Sequence, residues 1–281
     1  MNNRKTKIGR GGPTMLKDRV YHCALDDTID VLEEINQKAG DLDSIFEVEV
    51  MALLKWFHEQ YGAKFSLYLF YEKLGGFDLT QMTDKFADQW QANSDWLKMS
   101  FHSRTKKPGV VDYYLYDKSD YETAKKDFVD IKKEILRFAG PQCWDNYPRT
   151  HFWSGTKDAV RAWRDCGVDG LFYSYPGYSA LYFEKAQLEE LWQKDFWYDP
   201  EMEMLFITTN VKLPCLSVDE VKQDLAGLKD RKILEIFADD YNLVELKEHM
   251  ETAISWAAKN GFSPAFYEDV FDHSIQRTNN E

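Results

Sequence analysis

The stretch Tyr21-His22-Cys23-Ala24-Leu25-Asp26-Asp27-Thr28 decides how the rest of the chain is read. A short apolar run ends abruptly in two adjacent carboxylates and a hydroxyl. Carboxylates side by side repel, and each costs free energy to desolvate unless a cation or hydrogen bonds compensate. A metal ion or a shared proton is the usual resolution. The plainer reading is an Asp-Asp cap on a following helix, favoured by the helix dipole. What meets Asp26 and Asp27 in space separates the two.

Val20 to Leu25 hardly alternates in polarity, so it reads as a strand buried on both faces. A helix start follows from Thr28 to Gln37. Phe46, Val50, Leu53, Leu54, Phe57 and Tyr61 share one helical face, and Gly62 ends that helix. Lys64 to Phe70 reads as a strand, Leu79 to Gln91 as a helix, and Trp96 to His102 as a strand followed by a long polar loop from Lys106 to Ser119. Tyr121, Ala124, Phe128, Ile131, Ile135 and Phe138 form the clearest apolar stripe of the chain. Gly140-Pro141 stops it. Further strands are expected at Pro148–Phe152, Gly170–Tyr173, Met204–Thr209 and Lys232–Phe237, with a hairpin strand at Tyr178–Phe183 and a last strand at Ser263–Tyr267. Helices are expected between them. Strand and helix alternate with no linker rich in Pro, Gly or Ser, which argues for one α/β domain around a parallel sheet or barrel. That domain is expected over residues 15–271, between a basic, Gly-rich tail at 1–14 expected to be disordered and a polar tail at 272–281.

The 281 residues are 44% hydrophobic, enough for one large core. A formal net charge of −13 argues against a nucleic-acid binder and against an anionic membrane surface. The four cysteines, Cys23, Cys143, Cys166 and Cys215, lie far apart and show no C-x-x-C spacing. Free, mostly buried thiols in a reducing cytoplasm are therefore expected. No apolar run has the length of a membrane span or of a secretory signal.

In folds of this kind the chemistry sits at the carboxyl ends of the strands. Asp26-Asp27 stand at one end, His102-Ser103 at another, and Asp239-Asp240 at a late one. Arg149 and His151 are two residues apart, on one side of an expected strand. Histidine and carboxylate from different strands suit a divalent cation such as zinc. Each feature alone is explained by hydrogen-bonded structural groups; their joint placement is the signal.

The order of these pieces resembles the polysaccharide deacetylase superfamily, the NodB-type or carbohydrate esterase family 4 enzymes. Ala24-Leu25-Asp26-Asp27 is similar to that family's Thr-Phe-Asp-Asp, and Phe101-His102-Ser103-Arg104-Thr105 matches the first half of its His-Ser/Thr-x-x-His. Arg149-Thr150-His151-Phe152-Trp153 resembles its third motif loosely. Leu234 to Asp239 occupies the place of its last. The resemblance spans about Val20 to Tyr267 and implies a distorted (β/α) barrel of about seven strands. It also implies roles: Asp26 as general base, Asp27 and His102 as metal ligands, and Arg149 orienting the base.

Two positions depart from the family pattern. Lys106 stands where a second metal histidine is expected, and Asp239 stands where a catalytic histidine is expected. Protonated lysine has no lone pair for a metal. An aspartate serves as a general acid only with a raised pKa. His151 is the most economical replacement ligand, with His22 behind it, and Asp239 is the candidate acid. Trp144, Tyr147, Trp153, Tyr173, Tyr175 and Tyr178 are candidates to stack on sugar rings, although aromatic residues also pack barrels.

No Gly-x-Ser-x-Gly elbow and no phosphate-binding Gly-rich loop is present. His22 and Cys23 are adjacent in a strand and point to opposite faces, which argues against a catalytic pair. Three classes of function follow: a metal-dependent hydrolase removing an acetyl group from an amino sugar, a catalytically silent deacetylase-like domain binding a carbohydrate or protein partner, and a metal-independent glycosidase with paired carboxylates.

Overall fold

The computed structural model describes residues 12–106 and 116–273. Seven parallel-running strands matter for the site: β1 (Val20–Thr28), β2 (Phe65–Lys73), β3 (Leu97–Lys106), β4 (Gly170–Tyr173), β5 (Met204–Thr208), β6 (Val211–Lys212) and β7 (Ile233–Asp239). β6, β7, β1, β2 and β3 pair in that order, each pair parallel. From β3 the circuit continues through residues 144–146. Trp144 bridges Met99, Asp145 N donates to Met99 O at 2.9 Å, and Asp169 N donates to Asn146 O at 3.0 Å just before β4. β4 pairs with β5, which runs into β6 through Thr209 and Asn210. Hydrogen bonds thus run right round a distorted barrel. It has about seven staves when residues 144–146 count as one and β5–β6 as one bent strand.

Each strand separates two cores by its period of two. On β1, Tyr21, Cys23 and Leu25 face the helices, while Val20 and Ala24 face the barrel interior. On β7, Leu234, Ile236 and Ala238 face out, and Ile233 and Phe237 face in. Both faces are apolar and buried, which is why β1 looked continuous in sequence. The outer layer is carried by helices α1 (Asp30–Gln37), α2 (Glu49–Tyr61), α3 (Ala87–Ala92), α4 (Tyr121–Phe138), α5 (Lys157–Asp165), α6 (Lys185–Leu191), α7 (Val218–Gly227) and α8 (Lys247–Lys259). The expected stripe of α4 is realised: Ala124, Phe128, Ile131, Ile135 and Phe138 are fully buried.

Several expected elements differ. Leu79–Gln91 is not one helix but a 3-10 turn at Leu79–Gln81 and then α3. Asp78 caps the turn through Thr80 N, and Asn36 Oδ1 accepts from Thr83 N at 2.9 Å, so that amide is taken by a side chain and not by a helix. Pro148–Phe152 forms no strand. His151–Trp153 is a 3-10 turn in which Phe152 and Trp153 take left-handed backbones (φ 53° and 45°). Thr150 and Ser154 clamp it: Thr150 Oγ1 donates to Ser154 O at 2.8 Å and Ser154 Oγ to His151 O at 2.7 Å. Of Tyr178–Phe183 only Ala180–Leu181 is strand, and it pairs in parallel with Ser154–Gly155 and makes no hairpin. At the chain ends, Thr14–Met15 pair antiparallel with Phe271–Asp272. The expected loop after Lys106 lies largely outside the described residues.

The barrel interior also holds charge. Arg149 is fully buried, with its guanidinium 4.9 Å from the Tyr68 ring and 4.8 Å from the Phe172 ring. It donates to Glu235, also fully buried, from the inner face of β7. Tyr267 donates to Glu235 at 2.6 Å, His22 Nδ1 is bonded to Glu235 at 3.0 Å, and His22 Nε2 to Ser66 at 3.0 Å. Removing one member of a buried ion pair leaves the other charge uncompensated. Glu235→Ala should therefore cost about 3–5 kcal/mol of unfolding free energy, read by urea denaturation. A loss under about 1 kcal/mol would show that Arg149 is compensated without Glu235.

Candidate metal and catalytic centre

Asp26 faces the barrel interior in phase with Ala24 and His22. Regular alternation would then turn Asp27 outward with Leu25. It does not, because the register between β1 and β2 shifts between Leu25 and Thr28 and Asp27 takes a left-handed backbone (φ 56°). A bulge of this kind re-aims a side chain. Both carboxylates consequently line one cleft of about 440 Å³ at the carboxyl ends of the strands.

Lys106 maintains that conformation. Its buried ammonium donates to Asp27 O at 3.0 Å and to Asp30 Oδ2 at 2.7 Å, and lies 3.3 Å from Asp240 Oδ1. Asp240 in turn accepts from Ile29 N at 3.1 Å and Asp30 N at 3.0 Å, capping α1. Lysine at this position is thus a strut behind the bulge. The adjacent-acid cap expected as the plainer reading of Asp26-Asp27 is made instead by Asp240.

His102 reaches the cleft from the inner face of β3. Its Nδ1 donates to Arg149 O at 2.6 Å, since a carbonyl only accepts. That bond orients the ring and aims Nε2 at Asp27 Oδ1, 3.2 Å away, so the protonated ring donates to both acceptors. His151, carried by the clamped 3-10 turn, brings Nε2 to 3.7 Å from the same oxygen. One ligand atom from each of Asp27, His102 and His151 lies within 4.8 Å of the others, the one such cluster among the described residues. Arg149 places Nη1 3.3 Å from Asp26 Oδ1. Asp239 stands beside Asp26, its register partner on β7, and accepts from Tyr241 OH at 2.9 Å.

The structure therefore brings Asp26, Asp27, His102, Arg149, His151 and Asp239 to one place. It takes His22 away, into the barrel interior against Glu235 and Ser66. Of the aromatic candidates, Tyr147 and Tyr173 are fully buried and Trp144 nearly so, so these pack the core. Trp153 and Tyr178 do line the cleft, with Phe152, Phe237 and Tyr241. Glu235 was not singled out in sequence, although one acid inside Ile233-Leu234-Glu235-Ile236-Phe237 was a readable signal.

The electrostatics divide the acids. Burial pushes the Asp26 carboxyl up, opposed by the Arg149 charge. Burial of Asp27 is outweighed by the His102 hydrogen bond and by the His102 and Lys106 charges, which hold it below the usual range. Burial pushes His151 down to about 3, helped by the His102 charge, whereas at His102 burial is outweighed by the Asp27 hydrogen bond and the Asp26 and Asp27 charges, which hold it up; a cation at this cluster would displace the His102 proton. Asp239 is pushed up to about 7, first by burial and then by the Asp27 and Asp26 charges.

Neither a protein-family model nor a curated protein matches the chain. Solved structures do resemble it. A peptidoglycan N-acetylglucosamine deacetylase superposes with a TM-score of 0.50 at 10% identity, over 92% of this chain and 91% of that one. The chitin deacetylase of the fungal pathogen Colletotrichum lindemuthianum gives 0.50 at 7% identity, over 92% and 93%. The CE4 domain of a multidomain xylanase from the hindgut metagenome of Trinervitermes trinervoides gives 0.50 at 9%, over 94% and 91%.

An acid whose folded pKa is raised stabilises the fold fully below its unfolded value and loses that contribution as pH rises through the folded value. For Asp239 the window runs from about 4 to about 7. In metal-free protein, Asp239→Asn should flatten the fall in Tm across this window. An unchanged slope would show that Asp239 is not burdened by the neighbouring acids. The chain thus has the fold seen in these carbohydrate esterase family 4 deacetylases.

Proposed function

We propose that the chain is a metal-dependent hydrolase that removes an acyl group, acetyl in the simplest case, from an amino sugar or related carbohydrate. The observation that carries this reading is the convergence of Asp27, His102 and His151 beside an Asp26 held by Arg149. The donor set fits a divalent cation of the zinc type: two imidazoles and a carboxylate, one imidazole oriented by a backbone carbonyl. His151 takes the ligand position that Lys106 does not supply.

A divalent cation held by these three residues supplies polarisation of an amide carbonyl and acidification of water. The remaining chemistry belongs to the chain. Arg149 fixes Asp26 with its carboxylate toward the cleft, and Asp26 takes the proton of the attacking water. Asp239, its carboxyl pushed up first by burial, gives a proton to the departing amine. The apolar walls formed by Trp153 and Phe237 exclude water from the reacting carbonyl, and the exposed Tyr241 offers a face for a sugar ring.

The four cysteines are unpaired, which supports placing the protein in a reducing compartment such as the cytoplasm. No described helix is long and apolar enough to cross a membrane.

The test is release of acetate from N,N′-diacetylchitobiose or a related N-acetylated oligosaccharide. Turnover should be abolished by a chelator, restored by zinc or another divalent ion, and lowered about 10²–10⁴-fold in Asp26→Asn. Cleavage of the glycosidic bond, indifferent to chelators, would contradict the reading in favour of a carboxylate-pair glycosidase. Sugar binding with no turnover in metal-replete protein would favour a silent carbohydrate-binding domain.

A further inference from the structure

Lys212 is a cation placed where an otherwise acidic cleft has no internal use for it. It lies on the wall of the cleft that holds Asp26, Asp27 and Asp239, at the end of the short strand β6 and in register with Phe237 of β7. Among the described residues lining that cleft it is the one lysine or arginine. In a chain of net charge −13, a half-buried lysine is expected to settle on a carboxylate. No described carboxylate lies within ion-pair reach of it. Its ammonium instead sits over the face of Tyr178, 4.4 Å from the ring centroid. Tyr178 is itself 41% exposed and packs against Tyr175 at 4.8 Å between centroids, so the aromatic face beneath the ammonium is anchored at the mouth.

This arrangement holds the ammonium in place without neutralising it. A cation–π contact occupies one side of the amine and leaves N–H donors directed elsewhere. The contrast with Lys106 is direct: that lysine lies in the same region but is compensated by Asp30 and Asp240. Lys212 therefore offers a positive charge with no ion-pair partner among the described carboxylates, on the wall of the cleft that Asp26, Asp27 and Asp239 also line.

We propose that Lys212 selects a substrate carrying an anionic group, a phosphate or a carboxylate, on or next to the acylated sugar, while the acylamino group meets Asp26 and Asp239 at the floor. The inference rests on the carbohydrate reading of the cleft and adds the charge class of the ligand. A neutral sugar would leave the Lys212 ammonium with only the Tyr178 ring and solvent; an anionic one forms a charge-assisted hydrogen bond with it. Lys212 touches no reacting atom and is a specificity residue.

The test is calorimetric binding of three ligands to the full chain and to Lys212→Met and Lys212→Arg: N,N′-diacetylchitobiose, N-acetylglucosamine 1-phosphate, and a disaccharide of N-acetylglucosamine and glucuronic acid. Against the neutral disaccharide, the phosphate or the carboxylate should bind roughly tenfold tighter to the unaltered chain, and which of them does so identifies the anion. Lys212→Met should abolish that preference without weakening the neutral ligand, Lys212→Arg should retain most of it, and added salt should shrink it. Equal affinity of the unaltered chain for neutral and anionic ligands would overturn the inference and leave the carbohydrate reading intact. So would an equal loss for both classes in Lys212→Met. Binding of none of the three at millimolar concentration would overturn the inference and the carbohydrate reading together.

Discussion

β1 keeps register with β2 up to Leu25 and regains it at Thr28, and between them Asp27 is held with a left-handed backbone. For a residue with a side chain beyond glycine that conformation costs roughly 1–2 kcal/mol. The surrounding groups fix it: Lys106 grips the Asp27 carbonyl, Asp240 and Asp30 grip Lys106, and Asp240 also caps α1, which begins three residues on. Without the bulge, Asp26 and Asp27 would lie on opposite faces of the strand and no pair of acids would meet His102 and His151. Strain of this kind persists where neighbours over-determine it, and it gathers at functional sites.

Below this floor the barrel interior holds a buried network of charged side chains. Arg149 neutralises Asp26 from one side and Glu235 from the other, and its flat cation is enclosed by the rings of Tyr68, Phe172 and Phe237. Such networks are costly relative to apolar packing, so their value lies in position and not in stability. Here the network fixes the orientation of Asp26, while the Arg149 backbone carbonyl orients the His102 ring. One residue thereby aligns the candidate base and one candidate ligand.

Much of this was legible in sequence, for identifiable reasons. Strand and helix periods exposed one α/β domain around a parallel sheet or barrel, because β1 and β7 are apolar on both faces and α4 is apolar on one, and the family resemblance narrowed it to a barrel. The strand-end rule collected Asp26, Asp27, His102 and Asp239, since parallel strands deliver their last residues to one rim. Other features depend on contacts distant in sequence. The bulge at Asp27 is set by Lys106 and Asp240, neither of which announces it locally. The 3-10 turn of His151 follows from clamping by Thr150 and Ser154, where a strand was expected. His22 looked like a ligand in reserve until Glu235 and Ser66 were seen to hold it inside the barrel. Lys106 looked like a missing ligand in sequence; in space it is the group that braces the bulge.

His151, and not the residue four places after His102, is the residue proposed here to complete a metal site with Asp27 and His102. Titration of the apo-protein with cobalt(II), followed by visible absorption, tests it most directly, because the ligand-field bands report coordination without requiring turnover. The account predicts one tightly bound ion per chain, with bands that change or vanish in His151→Ala and persist in His22→Ala. Bands unaltered by His151→Ala, or no stoichiometric binding at all, would contradict it.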